Sequence, residues 1–256
     1  MEFAVFHTMG IDIFITLLLA NCSFMDHSLL PSISCLCVTR GKPAMLKRVI
    51  GCFREQQYSN KQLVVVYETD DRPTEELLRT EIRPDEPIRI VPVSAVPDKK
   101  TLGELRNLSI AAADGEYVCQ WDDDDWYDPE RLAIQVARMR SAGKEACILS
   151  RWVVFDATTG AAYLSNRRLW EGSILCRRET MLKNPYPRLP KGEDTTVIRQ
   201  LYDRNMLEII DNEPEIYVYT YHGGNTWEQG HFQQIFDRGT RLGADYEVQI
   251  RSLLHI

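Results

Sequence analysis

Between residues 31 and 121, short apolar runs alternate with segments whose apolar residues recur every three or four positions. Residues 33–38 read as a strand, followed by the turn Thr39-Arg40-Gly41-Lys42 and a helix opening at Pro43. Leu46, Val49, Ile50 and Phe53 give that helix one apolar face. Residues 62–67, QLVVVY, form a continuous apolar strand of the kind that is covered on both faces. A loop over 68–73, a short helix over 74–82 and a third strand over 88–93 come next. The loop 94–100 then leads into a helix over about 101–113, and 117–121 is the fourth strand. Strands alternating with helices predict an α/β fold. Its sheet is mainly parallel and Rossmann-like, with helices on both faces and ligands at the carboxyl ends of the strands. The loops after Val38, Tyr67 and Trp121 all fall at that edge.

The pattern loosens after Gly143. Residues 146–155 are strand-like, Thr159-Gly160 is a turn, and 161–165 returns as a hairpin partner. Residues 171–177 are a further extended segment, and three prolines then punctuate a loop ending at Gly192. A helix over 193–204, strands over 207–210 and 216–221, and a helical tail from Phe232 complete the chain. This divides the protein into an extension outside the fold (1–30), a domain (31–230) and a C-terminal helical tail (231–256). Within the domain, 31–126 form a nucleotide-binding half and 127–230 a more irregular acceptor half. The apolar run 11–20 is about half a transmembrane span and lacks the basic flank of a signal peptide. It reads first as an extension upstream of a start at Met25, and second as a short membrane-associating helix.

Composition narrows the function. The 256 residues are 44% hydrophobic, enough for one large core, and the net charge of −7 argues against nucleic acid as a partner. Seven scattered cysteines without a CxxC spacing point to a reducing, cytoplasmic setting rather than a disulfide framework.

The stretch GEYVCQWDDDDWYDPER, residues 115–131, concentrates the chemistry. An apolar strand ends in four acids, Asp122, Asp123, Asp124 and Asp125, and a helix follows for which Asp128 is the expected N-cap and Pro129 the first position. Two carboxylates about 5 Å apart repel by roughly 3 kcal/mol at an effective dielectric of about 20. Such a cluster calls for a neutralising cation, and oxygen ligands suit Mg²⁺ or Mn²⁺, which in turn hold phosphates. A solvated acidic turn is the plainer reading of four aspartates taken alone. Arg106 either reaches phosphates or pairs on the surface, Asn107 caps or packs, and a Glu193-Asp194 pair opening a helix also suits the helix dipole.

Taken in order, these features resemble glycosyltransferase family 2, enzymes of the GT-A fold. The resemblance covers residues 31–227 and rests on the Thr39-Arg40 turn, the acidic loop from Glu68 to Asp71 and Gly103-Glu104-Leu105-Arg106-Asn107. The Asp-rich box, Gly192-Glu193-Asp194 and Tyr221-His222 complete it. It implies an inverting, metal-dependent transfer from a nucleoside diphosphate sugar, most often a UDP-sugar, to a glycan, lipid-linked or other hydroxyl acceptor. By that resemblance Asp194 is the general base, and Asp124 holds a Mn²⁺ or Mg²⁺ ion, with His222 as a metal or phosphate ligand. Thr39, Arg40, Arg106, Asp122 and Asp123 face the donor nucleotide, and Glu193 positions the loop or the acceptor. The loop Glu-Thr-Asp-Asp-Arg-Pro departs from the family's usual acids followed by Gly-Ser, so Glu68, Asp70 and Asp71 all stay candidates for the base. Trp126, Trp170 and Trp227 either stack on sugars or pack in the core. A non-catalytic glycan- or nucleotide-binding relative is the rival reading. A nucleotidyltransferase would need a longer glycine-rich loop than Thr39-Arg40-Gly41-Lys42.

Overall fold

The computed structural model describes residues 30–96 and 99–256; the readings made of the N-terminal apolar run lie outside the described residues. The regular first half is as the periodicity predicts. Strands β1 (Ile33–Thr39), β2 (Lys61–Glu68), β3 (Ile88–Val93) and β4 (Tyr117–Gln120) alternate with helices α1 (Pro43–Glu55), α2 (Arg72–Glu81) and α3 (Leu102–Ala112). β2 is parallel to β1 and β3, and β4 is parallel to β1. Side-chain alternation splits the buried strands between two layers. Leu36, Val64, Val66 and Val118 join the core beneath α3, whereas Cys119 on the other face is in contact with Gln135.

The second half comprises β5 (Trp126–Tyr127), α4 (Arg131–Ser141), β6 (Ala146–Leu149), β7 (Val153–Asp156), β8 (Ala161–Leu164) and β9 (Trp170–Arg177). α5 (Arg178–Lys183), α6 (Glu193–Asp203), β10 (Leu207–Ile210), β11 (Tyr217–Tyr221), α7 (Gln229–Arg238), β12 (Thr240–Arg241) and α8 (Ala244–Leu254) follow. The main sheet runs β10-β6-β9-β4-β1-β2-β3, antiparallel only where β9 enters between β4 and β6. A second sheet runs β12-β8-β7-β11-β5.

Three local expectations are corrected. The run 146–155 is two strands in different sheets, because Ser150 N bonds Ile210 O (2.9 Å) on one side while Trp152 N turns to Ser165 Oγ (3.1 Å). The helix after the acidic loop begins at Arg131 with Glu130 as N-cap, not at Asp128-Pro129. Asp128 spends its carboxylate on Glu130 N (2.8 Å), and its carbonyl accepts from Gln56 Nε2 (2.6 Å), fastening a turn to the end of α1. The segment read as a helical tail also holds β12, which pairs with β8, and buries Phe232 against Tyr219 and Tyr221. Among the described residues no helix is long and apolar enough to cross a membrane.

Candidate active site

At the carboxyl edge of β1, β2 and β4 opens a cleft of about 710 Å³, closed on the far side by α6 and the loops around β9 and β11. β1 delivers Thr39, buried with its hydroxyl toward Asp123, then Arg40. The turn is made by Gly41 in the left-handed region (φ 69°), which a side chain would strain. Arg40 pairs with buried Glu68 (2.6 Å) and, through both terminal nitrogens, with Asp70 (2.7 Å each). Only Glu68 of the three acids in this loop lines the cleft. Asp71 is consumed structurally: it caps α2 through Thr74 and accepts from Gly41 N (2.6 Å), so the β2 loop braces the β1 turn.

The four aspartates after β4 meet four different environments. Asp122 accepts from Gln120 Nε2 (2.6 Å) and faces Arg106 Nη2 (3.4 Å). Burial raises its pKa, and the Arg106 charge opposes that rise. Asp123 is pushed up to about 6 by burial and by Asp124 beside it, with Lys42 working the other way. Asp124 also suffers burial, but the His222 hydrogen bond and the Lys42 charge outweigh it and hold its carboxyl below the usual range. Asp125 turns inward, accepting from Tyr217 Oη and from Thr220 N (2.9 Å); it is 1% exposed and pins the loop to β11. Burial raises its pKa strongly.

Three nitrogens converge on Asp124 Oδ2: Lys42 Nζ at 2.7 Å, His222 Nε2 at 3.1 Å and Asn225 Nδ2 at 3.4 Å. The main-chain carbonyl of Asp124 accepts from Arg48 (2.7 Å). The expected neighbours Asp124 and His222 are thus brought together across 98 residues of sequence. Lys42 and Asn225 were not singled out from sequence. Lys42 stands in the turn after β1 and at the N-cap of α1, the one available signal; nothing marks Asn225.

Opposite, Arg106 on α3 is buried between Asp122 and Glu193, with Nε 2.6 Å from Glu193 Oε1. That contact is close in charge but poorly aligned as a hydrogen bond, and Arg106 Nη1 has no partner at all. Burial works against the Arg106 cation, yet Asp122, Glu193 and Asp194 together raise its pKa. Asn107, left open as capping or packing, packs: it exchanges two hydrogen bonds with the main chain of Tyr186 (2.8 and 2.9 Å). Gly103 lets the proline-rich loop come closer still, since a Cβ there would sit 2.0 Å from Pro187 O. Through these contacts α3 sets the start of α6, where Gly192 (φ 69°) is the N-cap, Glu193 is buried and half-buried Asp194 lines the cleft.

The tryptophans separate by exposure. Trp126 is buried in β5, and Trp170, although it lines the cleft, is stacked on Trp152 (4.7 Å). Trp227 is 37% exposed, stacked on His231 (4.7 Å, 19°) and 3.9 Å from the point where a Cβ on Gly192 would lie. Its ring lines the cleft next to Gly192, at the start of α6. His231, one helical turn on, was missed; its Nε2 is buried without a partner, and burial and Arg168 lower its pKa. Glu171, also missed, lines the cleft with a pKa raised by burial and by Asp194.

The family described as Glycosyl transferase family 2 matches residues 34–197. No curated protein sequence matches the chain. Among solved structures, S. aureus TarS 1-349 in complex with UDP-GlcNAc aligns with TM-score 0.60 and 16% identity, covering 76% of this chain and 60% of that one. The same protein with UDP gives 0.58 and 16%, covering 80% and 69%. Mannosyltransferase PcManGT from Pyrobaculum calidifontis, in complex with GDP-Man and Mn2+, gives 0.59 and 15%, covering 77% and 58%. At these identities the likeness concerns the fold, and the chain spans about 60% of the length of the first of these structures.

Proposed function

The chain belongs to glycosyl transferase family 2, and we propose on that footing that it transfers a sugar from a nucleoside diphosphate sugar to a hydroxyl acceptor with inversion at the anomeric carbon. The observation that carries the reading is one cleft lined both by Asp122, Asp123 and Asp124 and by Asp194, with Arg106 between them. Residues 31–126 supply the donor side and 127–230 the acceptor side. UDP and UDP-GlcNAc in TarS, and GDP-Man in the mannosyltransferase, support a nucleotide-sugar donor, with a UDP-sugar as the first choice. The acceptor is a glycan, a lipid-linked sugar or another hydroxyl compound. Six described cysteines, all buried and free, are in keeping with a reducing, cytoplasmic setting.

Asp194 takes the proton of the acceptor hydroxyl as its oxygen bonds to the anomeric carbon from the side opposite the diphosphate. The bond from that carbon to the diphosphate oxygen breaks, and its electron pair leaves with the nucleoside diphosphate. The unpartnered Arg106 Nη1 offers a charged donor to the departing oxygens. Glu68 is the candidate for the base, and Arg40 holds it in place. Trp227 offers a flat face to an acceptor ring.

Asp124 and His222 fit one edge of a Mn²⁺ or Mg²⁺ site, a hard carboxylate with an imidazole 3.1 Å away. Among the described residues no group of three or more acid, histidine or cysteine side chains is arranged to hold an ion alone. Donor phosphates and water would have to complete the shell, as is usual for Mg²⁺. When bound, such an ion stabilises charge on the leaving diphosphate.

The test is Asp194→Asn in single-turnover transfer, with UDP binding measured in parallel. Turnover should fall by roughly 10² to 10⁴, the range for a positioned proton acceptor, and UDP affinity should stay put. Near-normal transfer would remove Asp194 from the role. Nucleotide binding without transfer to any of a broad acceptor panel would favour the binding-only relative.

A further inference from the structure

The acidic loop already holds a cation that belongs to the chain itself. Lys42 Nζ lies 2.7 Å from Asp124 Oδ2 and 3.2 Å from Asp123 Oδ1, with its side chain 21% exposed toward the cleft. It starts from the turn after β1, directly behind Gly41, and crosses the edge of the sheet to the loop after β4. An ammonium has three donors, and these two carboxylates account for two of them. In the same cleft, Arg106 Nη1 is buried with no hydrogen-bond partner; it is a second, independent sign of a ligand rich in acceptor oxygens.

The geometry also makes Lys42 and a divalent ion rivals. Lys42, His222 and Asn225 all lie within 3.4 Å of the same oxygen, Asp124 Oδ2. An ion reaching that oxygen would meet the ammonium at close range, where like charges repel. A diphosphate entering the cleft presents the lysine with better acceptors than a carboxylate it shares with two other donors.

Resting on the donor reading above, we propose that Lys42 is a diphosphate ligand which doubles as a built-in counter-ion. Before the donor arrives its ammonium, shared between Asp123 and Asp124, offsets one of their two charges. On donor entry it turns onto a phosphate oxygen and frees Asp124 Oδ2. Nucleoside diphosphate then binds measurably without any divalent ion, and an ion alone binds weakly until the nucleotide draws the lysine away.

Titration calorimetry of UDP and GDP, in EDTA and in Mn²⁺, on wild type and Lys42→Met tests this. Electron paramagnetic resonance of free Mn²⁺ supplies ion affinity without nucleotide. The wild type should bind one of the two nucleotides in EDTA. Lys42→Met should weaken that metal-free binding roughly 10- to 100-fold, as expected for a lost charged hydrogen bond. The same variant should bind Mn²⁺ alone more tightly than wild type. If Lys42→Met does not fold, Lys42→Gln, which also lacks the charge, is read in its place. Unchanged metal-free affinity in a folded variant that binds nucleotide would overturn the proposal and leave the donor reading standing. A wild type that binds neither nucleotide, with or without Mn²⁺, would overturn both.

Discussion

Replacing Glu193 by Gln should damage stability before it damages chemistry. Glu193 is 1% exposed, and its carboxylate sits 2.6 Å from Arg106 Nε; Arg106 itself is 8% exposed. Removing one partner of a buried ion pair costs about 3–5 kcal/mol, because the other charge is left without compensation. Here the compensation is not wholly lost. Asp122 still faces Arg106, but at 3.4 Å and from a more exposed position. Gln also preserves shape, so the loss falls at or just below the bottom of that range, about 2–3 kcal/mol. For a chain of this length each kcal/mol is about 2–4 °C, which places the melting temperature roughly 4–12 °C below wild type.

Differential scanning calorimetry and urea unfolding followed by circular dichroism read this directly. The double variant Arg106→Met/Glu193→Gln should lose less than the sum of the two single losses, because it leaves no unpaired guanidinium in the interior. Asp194→Asn, half-buried and one residue away, should melt close to wild type. A Glu193→Gln protein melting within a degree of wild type would refute the argument. The start of α6 would then be held by the Gly103–Leu189 and Asn107–Tyr186 contacts alone.

Three further outcomes follow from the same geometry. Asp123, with a folded pKa near 6 against about 3.9 unfolded, binds its proton more tightly when folded, so its ionisation costs stability as pH climbs from about 4 to 6. Asp123→Asn should therefore gain on wild type across that window, by at most about 3 kcal/mol at pH 7, and parallel stability profiles in urea would contradict this. Gly103→Ala must push the main chain at Pro187 away from α3, costing about 1–3 kcal/mol. It should lower turnover as well, because α6 carries Asp194; an unchanged melting curve would show that the loop gives freely. Trp227→Ala should leave folding intact and raise the acceptor KM by roughly 2- to 10-fold, the worth of an aromatic contact of about 0.5–1.5 kcal/mol, with donor affinity unmoved. A change in donor affinity instead would place Trp227 on the wrong side of the cleft.

The first half of the fold was legible because β1, β2 and β4 are buried on both faces and α1 carries one apolar stripe. QLVVVY has no other comfortable home than a covered parallel strand. The second half was less so. β5 and β12 have two residues each, too few to carry a period, and the break between β6 and β7 is made by partners 60 and 13 residues away. Asp128-Pro129 looked like a helix start because local chemistry permits it. The end of α1, reaching the same turn through Gln56 and Gln57, delays the helix by two residues.

Within the site, the residue types were legible and their division of labour was not. Asp122, Asp123, Asp124 and Asp125 are chemically equal in sequence, and the loop makes them unequal by what each one meets. Asp125 reaches Tyr217 and Thr220, on a strand over 90 residues away, and becomes an anchor. Asp122 meets Arg106; Asp123 and Asp124 meet Lys42; Asp124 alone meets His222. The repulsion inside the cluster did signal that a cation must be near. It did not signal that the cation at hand would be a lysine from the turn after the neighbouring strand β1, because an ammonium on a four-carbon stem answers the same electrostatic demand as an ion. Charge counting can require a counter-charge at a strand end. Only the path of the chain decides which atom provides it.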